Sequence, residues 1–301
     1  MEISGAIPPL VTPTTDDRSG VDTEALNSFT RFLVEKGVHA LFPCGSIGEF
    51  PSLTRAQRQT VIETVADNAG ETPVLAGCGG TSITEVSEFI GDAAAAGADA
   101  AVVVTPYYLD ATTDGLVTFY ERIVADTQLP ILLYDIPSLT GNSLSVEAVE
   151  TLATQADIVG IKDSTGDFTH HQELIESTPE SFQVLQGLAE LAIPALDVGA
   201  DGFVAGPANV FPHAVSLTYD AYRRGNRERA VELWQTVMNP VVAATKPLPT
   251  AAGLKYLLQC HGRAVGEPLP PLSLPSSTQC DRLQRCHDRV TKYTQRELST
   301  A

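Results

Sequence analysis

Four groups of residues in this chain have types and spacings suited to chemistry. The first is Lys162, set in the apolar run IVGIKDST (158–165), which reads as a strand buried on both faces. A lysine is unexpected there, because burial disfavours the ammonium and charges are almost never left inside unpaired. Desolvation of that kind favours a neutral amine able to attack a carbonyl. The alternative is a lysine at the strand end that pairs with Asp163 or snorkels to water, and the segment alone leaves both readings open. The others are Tyr134-Asp135 at the end of PILLYDIP (130–137), the pair Tyr107-Tyr108, and the turn Gly45-Ser46-Ile47-Gly48-Glu49. Singly, each has an ordinary reading: a packed tyrosine with a satisfied hydroxyl, or a tight turn. Together they offer an amine, a phenol that can relay protons, and backbone N–H groups that can hold an anion. That is the equipment for Schiff-base chemistry on a 2-keto acid.

These residues fall at comparable points in a repeating layout. Short β-branched runs recur at 6–13, 40–45, 73–79, 100–106, 130–137, 158–164, 182–187 and 201–207. Amphipathic segments such as 23–37, 54–70 and 83–98 lie between them, several ending in Gly, the usual residue past a helix C-terminus. Strands alternating with helices imply parallel βαβ units. Eight such units predict an α/β fold, a (β/α)8 TIM barrel over residues 1–225. A doubly wound sheet is the competing layout, but no GxGxxG follows the first run. Residues 226–260 read as further helices, 262–277 as a Pro-rich link and 278–296 as a last helix. The expectation is therefore a C-terminal helical extension, 226–301, packed on the barrel. In such a barrel, chemistry belongs at the C-terminal ends of the strands, where all four groups fall.

Composition narrows the class. With 301 residues and 43% hydrophobic content, the chain can build a large core, and a disordered acidic protein is excluded. The net charge of −18 argues against nucleic acid and an anionic membrane surface as partners. Acidic residues are dispersed and lysines few (Lys36, Lys162, Lys246, Lys255, Lys292), as in proteins of salt-loving organisms, where salt screens self-repulsion. The start lacks a basic n-region and a long apolar h-region, and no stretch reaches the roughly 18 apolar residues needed to span a bilayer. Five cysteines without CxxC spacing point to a reducing cytoplasm, with no disulfide framework and no zinc site.

The set GSIGE (45–49), TPYY (105–108), YDIPSLTG (134–141), GIKDSTGD (160–167) and GADGFVAGPANVFP (199–212) resembles the dihydrodipicolinate synthase / N-acetylneuraminate lyase family. These are class I, pyruvate-dependent aldolases and related lyases, and the motifs run in family order across nearly the whole chain. The resemblance implies that Lys162 is the Schiff-base lysine and Tyr134 the proton shuttle. Ser46 links that tyrosine to a relay, and Tyr108 serves the relay of a neighbouring subunit. It also implies a homo-oligomer, a tetramer built as a dimer of dimers. No cofactor and no metal are required, because the covalent Schiff base acts as the electron sink. Ser46, Ile47 and Gly48 are expected to meet the substrate carboxylate. Ser164, Gly187, Glu190 and Ala205 are expected around the rest of the substrate.

Departures from the family pattern bear on substrate. Synthases making dihydrodipicolinate place an arginine in the segment after the tyrosine, where this chain has Leu139; losing a bidentate carboxylate clamp is not conservative. Sialic acid lyases carry an Asp-Glu pair where this chain has Ala189-Glu190, and a serine where it has Pro207. Ile47 replaces a hydroxyl residue that helps bind the keto-acid carboxylate. Asp135 replaces an asparagine, and either tunes Tyr134 or faces the barrel exterior. No lysine or arginine occurs in the loop Gly206-Pro207-Ala208-Asn209, a usual place for phosphate in barrels. The expected activity is aldol cleavage of a 2-keto-3-deoxy sugar acid, 2-keto-3-deoxygluconate or its 6-phosphate, to pyruvate and glyceraldehyde or its phosphate. The alternatives are a 2-keto-3-deoxy acid dehydratase, dihydrodipicolinate synthase or another pyruvate lyase of the same family, and a non-catalytic keto-acid-binding barrel. Cys260-His261 and His170-His171 are expected to be structural, the latter pair as surface or cap residues.

Overall fold

The computed structural model describes residues 2–298. Seven strands form one parallel sheet: β1 (Gly5–Ile7), β2 (Leu75–Gly77), β3 (Ala100–Val104), β4 (Ile131–Asp135), β5 (Ile158–Asp163), β6 (Gln183–Gln186) and β7 (Gly202–Val204). They lie side by side in the order β1-β7-β6-β5-β4-β3-β2, so the sheet curls with β1 and β2 at its edges. The eighth expected strand, at 40–45, is reduced to bridges. Leu41 pairs with Val74 on one side, and Phe42 pairs with Pro9 on the other. Pro8, Pro9 and Pro43 explain the shortness, since proline brings no N–H to a ladder. Backbone hydrogen bonds such as Leu10 N–H to Phe42 O, Phe42 N–H to Pro8 O, Leu41 N–H to Pro73 O and Leu75 N–H to Leu41 O still tie this segment to both edges of the sheet.

Helices alternate with the strands: α1 (Thr23–Glu35), α2 (Arg55–Ala69), α3 (Ile83–Ala95), α4 (Thr113–Val124), the single turn α5 (Pro137–Thr140), α6 (Val146–Leu152), α7 (Phe168–Ser177), α8 (Ala192–Asp197) and α9 (Pro212–Arg223). Their starts are written in the sequence. Asp22, Thr54, Ser82, Thr112, Ser145 and Asp167 each accept a backbone N–H of the first turn, satisfying a donor the helix leaves open. Gly37 and Gly97 follow α1 and α3 in the left-handed region that a side chain would resist. The strands are buried almost throughout, which a parallel sheet covered by helices demands.

Beyond α9 come α10 (Arg227–Leu233), a π turn over Trp234–Met238, α11 (Asn239–Thr245), α12 (Thr250–Cys260) and α13 (Ser277–Leu298). Leu233, Val241, Leu254, Leu258, Leu283 and Val290 join the same apolar core as β1–β5. The Pro-rich stretch is pinned down rather than loose. Arg18 Nε donates to Pro268 O at 2.8 Å, Thr14 Oγ1 to Glu267 O at 2.6 Å and Ser52 Oγ to Pro270 O at 3.1 Å.

Candidate active site

Register decides which side chains meet. Tyr134 on β4 pairs with Lys162 on β5, and the next pair along is Asp135 with Asp163. Side chains alternate along a strand and paired residues share a face, so the first pair points to the sheet interior and the second to the helices. Lys162 is 5% exposed and Tyr134 3%. Lys162 Nζ lies 3.6 Å from the Tyr134 ring centroid and 5.3 Å from that of Phe42, a cation–π arrangement. It has no carboxylate or hydrogen-bond acceptor among the described residues. The expected alternative pairing of Lys162 with Asp163 is thereby corrected. Asp163 lies on the other face, with Oδ2 2.8 Å from His171 Nδ1 and Oδ1 accepting from Thr165 N–H and Oγ1.

Tyr134 Oη is 3.3 Å from Ser46 Oγ, and the Tyr134 ring stands edge-on to Phe42 at 6.3 Å. Ser46 belongs to a loop whose N–H groups at Ser46, Ile47 and Gly48 make no protein hydrogen bond among the described residues. Thr12 Oγ1 fixes the Gly48 carbonyl at 2.7 Å. A Cβ on Gly48 would lie 3.0 Å from Leu10 O and 3.2 Å from Cys44 N, so a side chain here would crowd the backbone of the turn.

One cavity of about 510 Å³ collects these groups, a usual size for a small-molecule site. Ser46, Ile47, Tyr134, Lys162, Ser164, Gly187 and Glu190 all line it. Ser164 Oγ is buried with no protein partner, and a Cβ on Gly187 would lie 1.8 Å from it. Glycine at 187 therefore gives Ser164 its room. Three predicted site residues are not on this cavity. Gly48 is buried in the loop interior and serves through its backbone. Ala205 is fully buried in the core beside Ala6 and Phe203, while its neighbours Val204 and Gly206 line the cavity instead. Tyr108 is 94% exposed and has φ 81°, so it projects into solvent.

The far wall was not foreseen. Thr245, Lys246, Thr250 and Leu254, from α11, α12 and their junction, face the cavity together with Leu272 of the Pro-rich stretch. Lys246 Nζ stands 3.6 Å from Glu190 Oε1, placing a second cation on the cavity wall. No motif marks these residues, and they lie far along the chain from Lys162. Only the packing of the C-terminal helices over the strand ends brings them in.

Behind β4 and β5 the outward pair forms a buried polar cluster. Burial pushes the Asp135 carboxyl up to about 6, against hydrogen bonds from Ser143 Oγ and Leu144 N–H that favour its charged form. Burial also pushes Asp163 up, but the bonds with His171 and Thr165 outweigh it and hold that carboxyl below its ordinary value. His171 corrects the expectation of a surface or cap residue: it is fully buried. Its spacing from Phe168 and Leu174 on α7 is the helical three-residue step that puts it on the inner face. Asp135 thus faces the helices and does not contact Tyr134 through its side chain.

The chain matches the sequence model described as the dihydrodipicolinate synthetase family over residues 2–287. It is 38% identical over 276 residues to a 4-hydroxy-tetrahydrodipicolinate synthase of Methanopyrus kandleri, covering 90% of this chain and 91% of that one. It is 40% identical over 271 residues to an uncharacterised DapA-like lyase of Halobacterium salinarum, covering 90% and 88%. Among solved structures, YagE of E. coli K12, a prophage protein of the dihydrodipicolinic acid synthase family crystallised in complex with pyruvate, superposes with a TM-score of 0.91. That match has 29% identity and covers 97% of this chain and 99% of that one. Family and architecture agree over almost every described residue: the chain belongs to the dihydrodipicolinate synthetase family and is an enzyme, a pyruvate-dependent lyase of the Schiff-base kind that needs no cofactor.

Proposed function

We propose that this enzyme is a class I aldolase that cleaves a 2-keto-3-deoxy sugar acid, 2-keto-3-deoxygluconate or its 6-phosphate, to pyruvate and glyceraldehyde or its 3-phosphate. The observation that carries the chemistry is the buried, acceptor-free Lys162 Nζ held over Tyr134, whose hydroxyl reaches Ser46. In this reading the frame is a (β/α)8 barrel, residues 1–225, closed through the short segment at Leu41-Phe42, with residues 226–301 completing one wall of the site.

The Lys162 amine attacks the C2 carbonyl and water leaves, giving an iminium. The substrate carboxylate accepts from the N–H groups of Ser46, Ile47 and Gly48. Tyr134 takes the C4 hydroxyl proton as C3–C4 breaks. The bonding pair moves into the iminium to form an enamine, and the aldehyde departs. Tyr134 returns its proton to C3, and hydrolysis releases pyruvate and the free amine. Ser46 hands protons to and from Tyr134. Tyr108, exposed on a strained backbone, reaches the relay of a second copy in a homo-oligomer, a dimer of dimers. The workplace of such an enzyme is the cytoplasm of a halophile, in keeping with five free cysteines, the acidic composition and the Halobacterium relative.

Substrate choice rests on the cavity wall. Leu139, 65% exposed, faces the cavity where a carboxylate clamp would stand, and Lys246 is the basic residue besides Lys162 among its described lining residues. Ser164 Oγ and Glu190 suit sugar hydroxyls, and Lys246 supplies a partner for a distal phosphate. The second reading is 4-hydroxy-tetrahydrodipicolinate synthase, favoured by the printed function of the Methanopyrus relative. A substrate panel at high salt separates the two. Release of pyruvate and an aldehyde from the sugar acids supports the aldolase. Production of 4-hydroxy-tetrahydrodipicolinate without sugar-acid cleavage overturns it.

A further inference from the structure

The loop 45–48 is bracketed by two non-glycine residues in the left-handed region, Cys44 at φ 56° and Glu49 at φ 59°. Such conformations cost energy and persist where the surroundings over-determine them. At Glu49 the surroundings come from the C-terminal extension. Glu49 Oε2 accepts from Leu269 N–H at 2.6 Å, and Oε1 lies 2.7 Å from Lys255 Nζ on α12. That ion pair is 1% exposed on both sides, and its approach is off a regular hydrogen-bond direction, so charge attraction holds it. Lys255 also donates to Glu267 O at 2.9 Å, which leads back through Thr14 Oγ1 to the barrel. Burial lowers the Lys255 ammonium below its ordinary value, with Glu49 offsetting part of that.

A buried ion pair is weak evidence for stability, because desolvation consumes most of the attraction. Its value lies in fixing one geometry. Here it fixes the residue next to Gly48, at the end of the loop whose Ser46, Ile47 and Gly48 N–H groups meet no protein acceptor among the described residues. We infer that Glu49 and Lys255 are positioning residues: the buried pair holds the 45–48 loop in its strained, donor-forward form, so the C-terminal helices set keto-acid affinity. The inference rests on the reading above, in which this loop receives the substrate carboxylate.

The test is borohydride trapping of pyruvate on the full-length enzyme, titrated with pyruvate and read by mass, for the wild type and Glu49→Gln/Lys255→Met. The double variant leaves no unpaired buried charge and is chosen to fold; circular dichroism checks this. Lys255→Met alone is the companion. The expected result is full labelling at saturating pyruvate with the half-saturating concentration raised on the order of tenfold. Leu283→Ala, a core truncation in α13, is the control: measured where circular dichroism shows it fully folded, it should keep wild-type half-saturation, because only an unfolded fraction would raise it. A folded double variant with wild-type half-saturation overturns the positioning role. Wild-type enzyme that never traps pyruvate overturns the Schiff-base reading instead.

Discussion

Lys162 and Tyr134 occupy paired positions on adjacent parallel strands, with the amine 3.6 Å from the phenol ring centroid and no acidic partner among the described residues. A shift of one residue would turn both side chains toward the helices and bring Asp135 and Asp163 inside. Two short strands therefore hold this amine and this phenol against each other without a loop intervening.

Removing the phenol hydroxyl separates adduct formation from bond cleavage. Tyr134→Phe is expected to form the pyruvate adduct on Lys162 while kcat for sugar-acid cleavage falls by roughly 10²–10⁴. Ser46→Ala should lose less, because Ser46 acts through Tyr134 at 3.3 Å. Single-turnover trapping alongside steady-state kinetics checks both.

The outward pair gives a pH signature. The Asp135 carboxyl is raised in the fold to about 6, from an ordinary value of 3.8. A raised folded value means that the native state holds the proton more tightly. Its stabilising contribution is full below 3.8 and is lost as pH rises to about 6. Asp135→Asn keeps an acceptor for Ser143 and Leu144 and removes the charge. The variant should be more stable than wild type at pH 7, by about 1–2 kcal/mol, and less dependent on pH between those limits. Urea unfolding at a series of pH values measures it.

Asp163 has the opposite sign. Its lowered value makes a contribution that is present above the ordinary carboxylate range and is lost as pH falls below it. His171→Phe strips a buried partner from that carboxylate and should cost roughly 3 kcal/mol at neutral pH. The loss should shrink in acid as Asp163 protonates. Thermal unfolding at pH 7 and at acidic pH tests the sign.

Lys246 bears on the phosphorylated substrate. Lys246→Ala should lower kcat/KM for the 6-phosphate about fivefold relative to the unphosphorylated acid, a modest effect because the side chain is 75% exposed and screened by salt. Equal effects on both substrates would remove Lys246 from phosphate recognition.

Much of this site is legible in one dimension because strands carry it. Lys162, Tyr134 and Ser46 each end an apolar run, and a parallel barrel gathers such ends on one rim. His171 was legible too, at helical spacing from Phe168 and Leu174, but its adjacency to His170 drew it toward the surface. Lys246, Thr250 and Leu272 were not legible, since the cavity reaches them only through the packing of α11 and α12, which no short-range pattern encodes. The strand at 40–45 was overread for a local reason: prolines at 8, 9 and 43 remove the donors a longer ladder would need. The same separation hid the pairing of Glu49 with Lys255, which lie 206 positions apart.

The central claim is that Lys162 is the covalent nucleophile. The most direct measurement is peptide mass mapping after borohydride reduction of the enzyme with pyruvate at high salt, for wild type and Lys162→Ala. One reduced pyruvyl adduct is expected on the peptide containing Lys162, with none in the variant and loss of turnover alongside. An adduct on Lys246, Lys255 or another lysine, or a Lys162→Ala enzyme with full turnover, would contradict it.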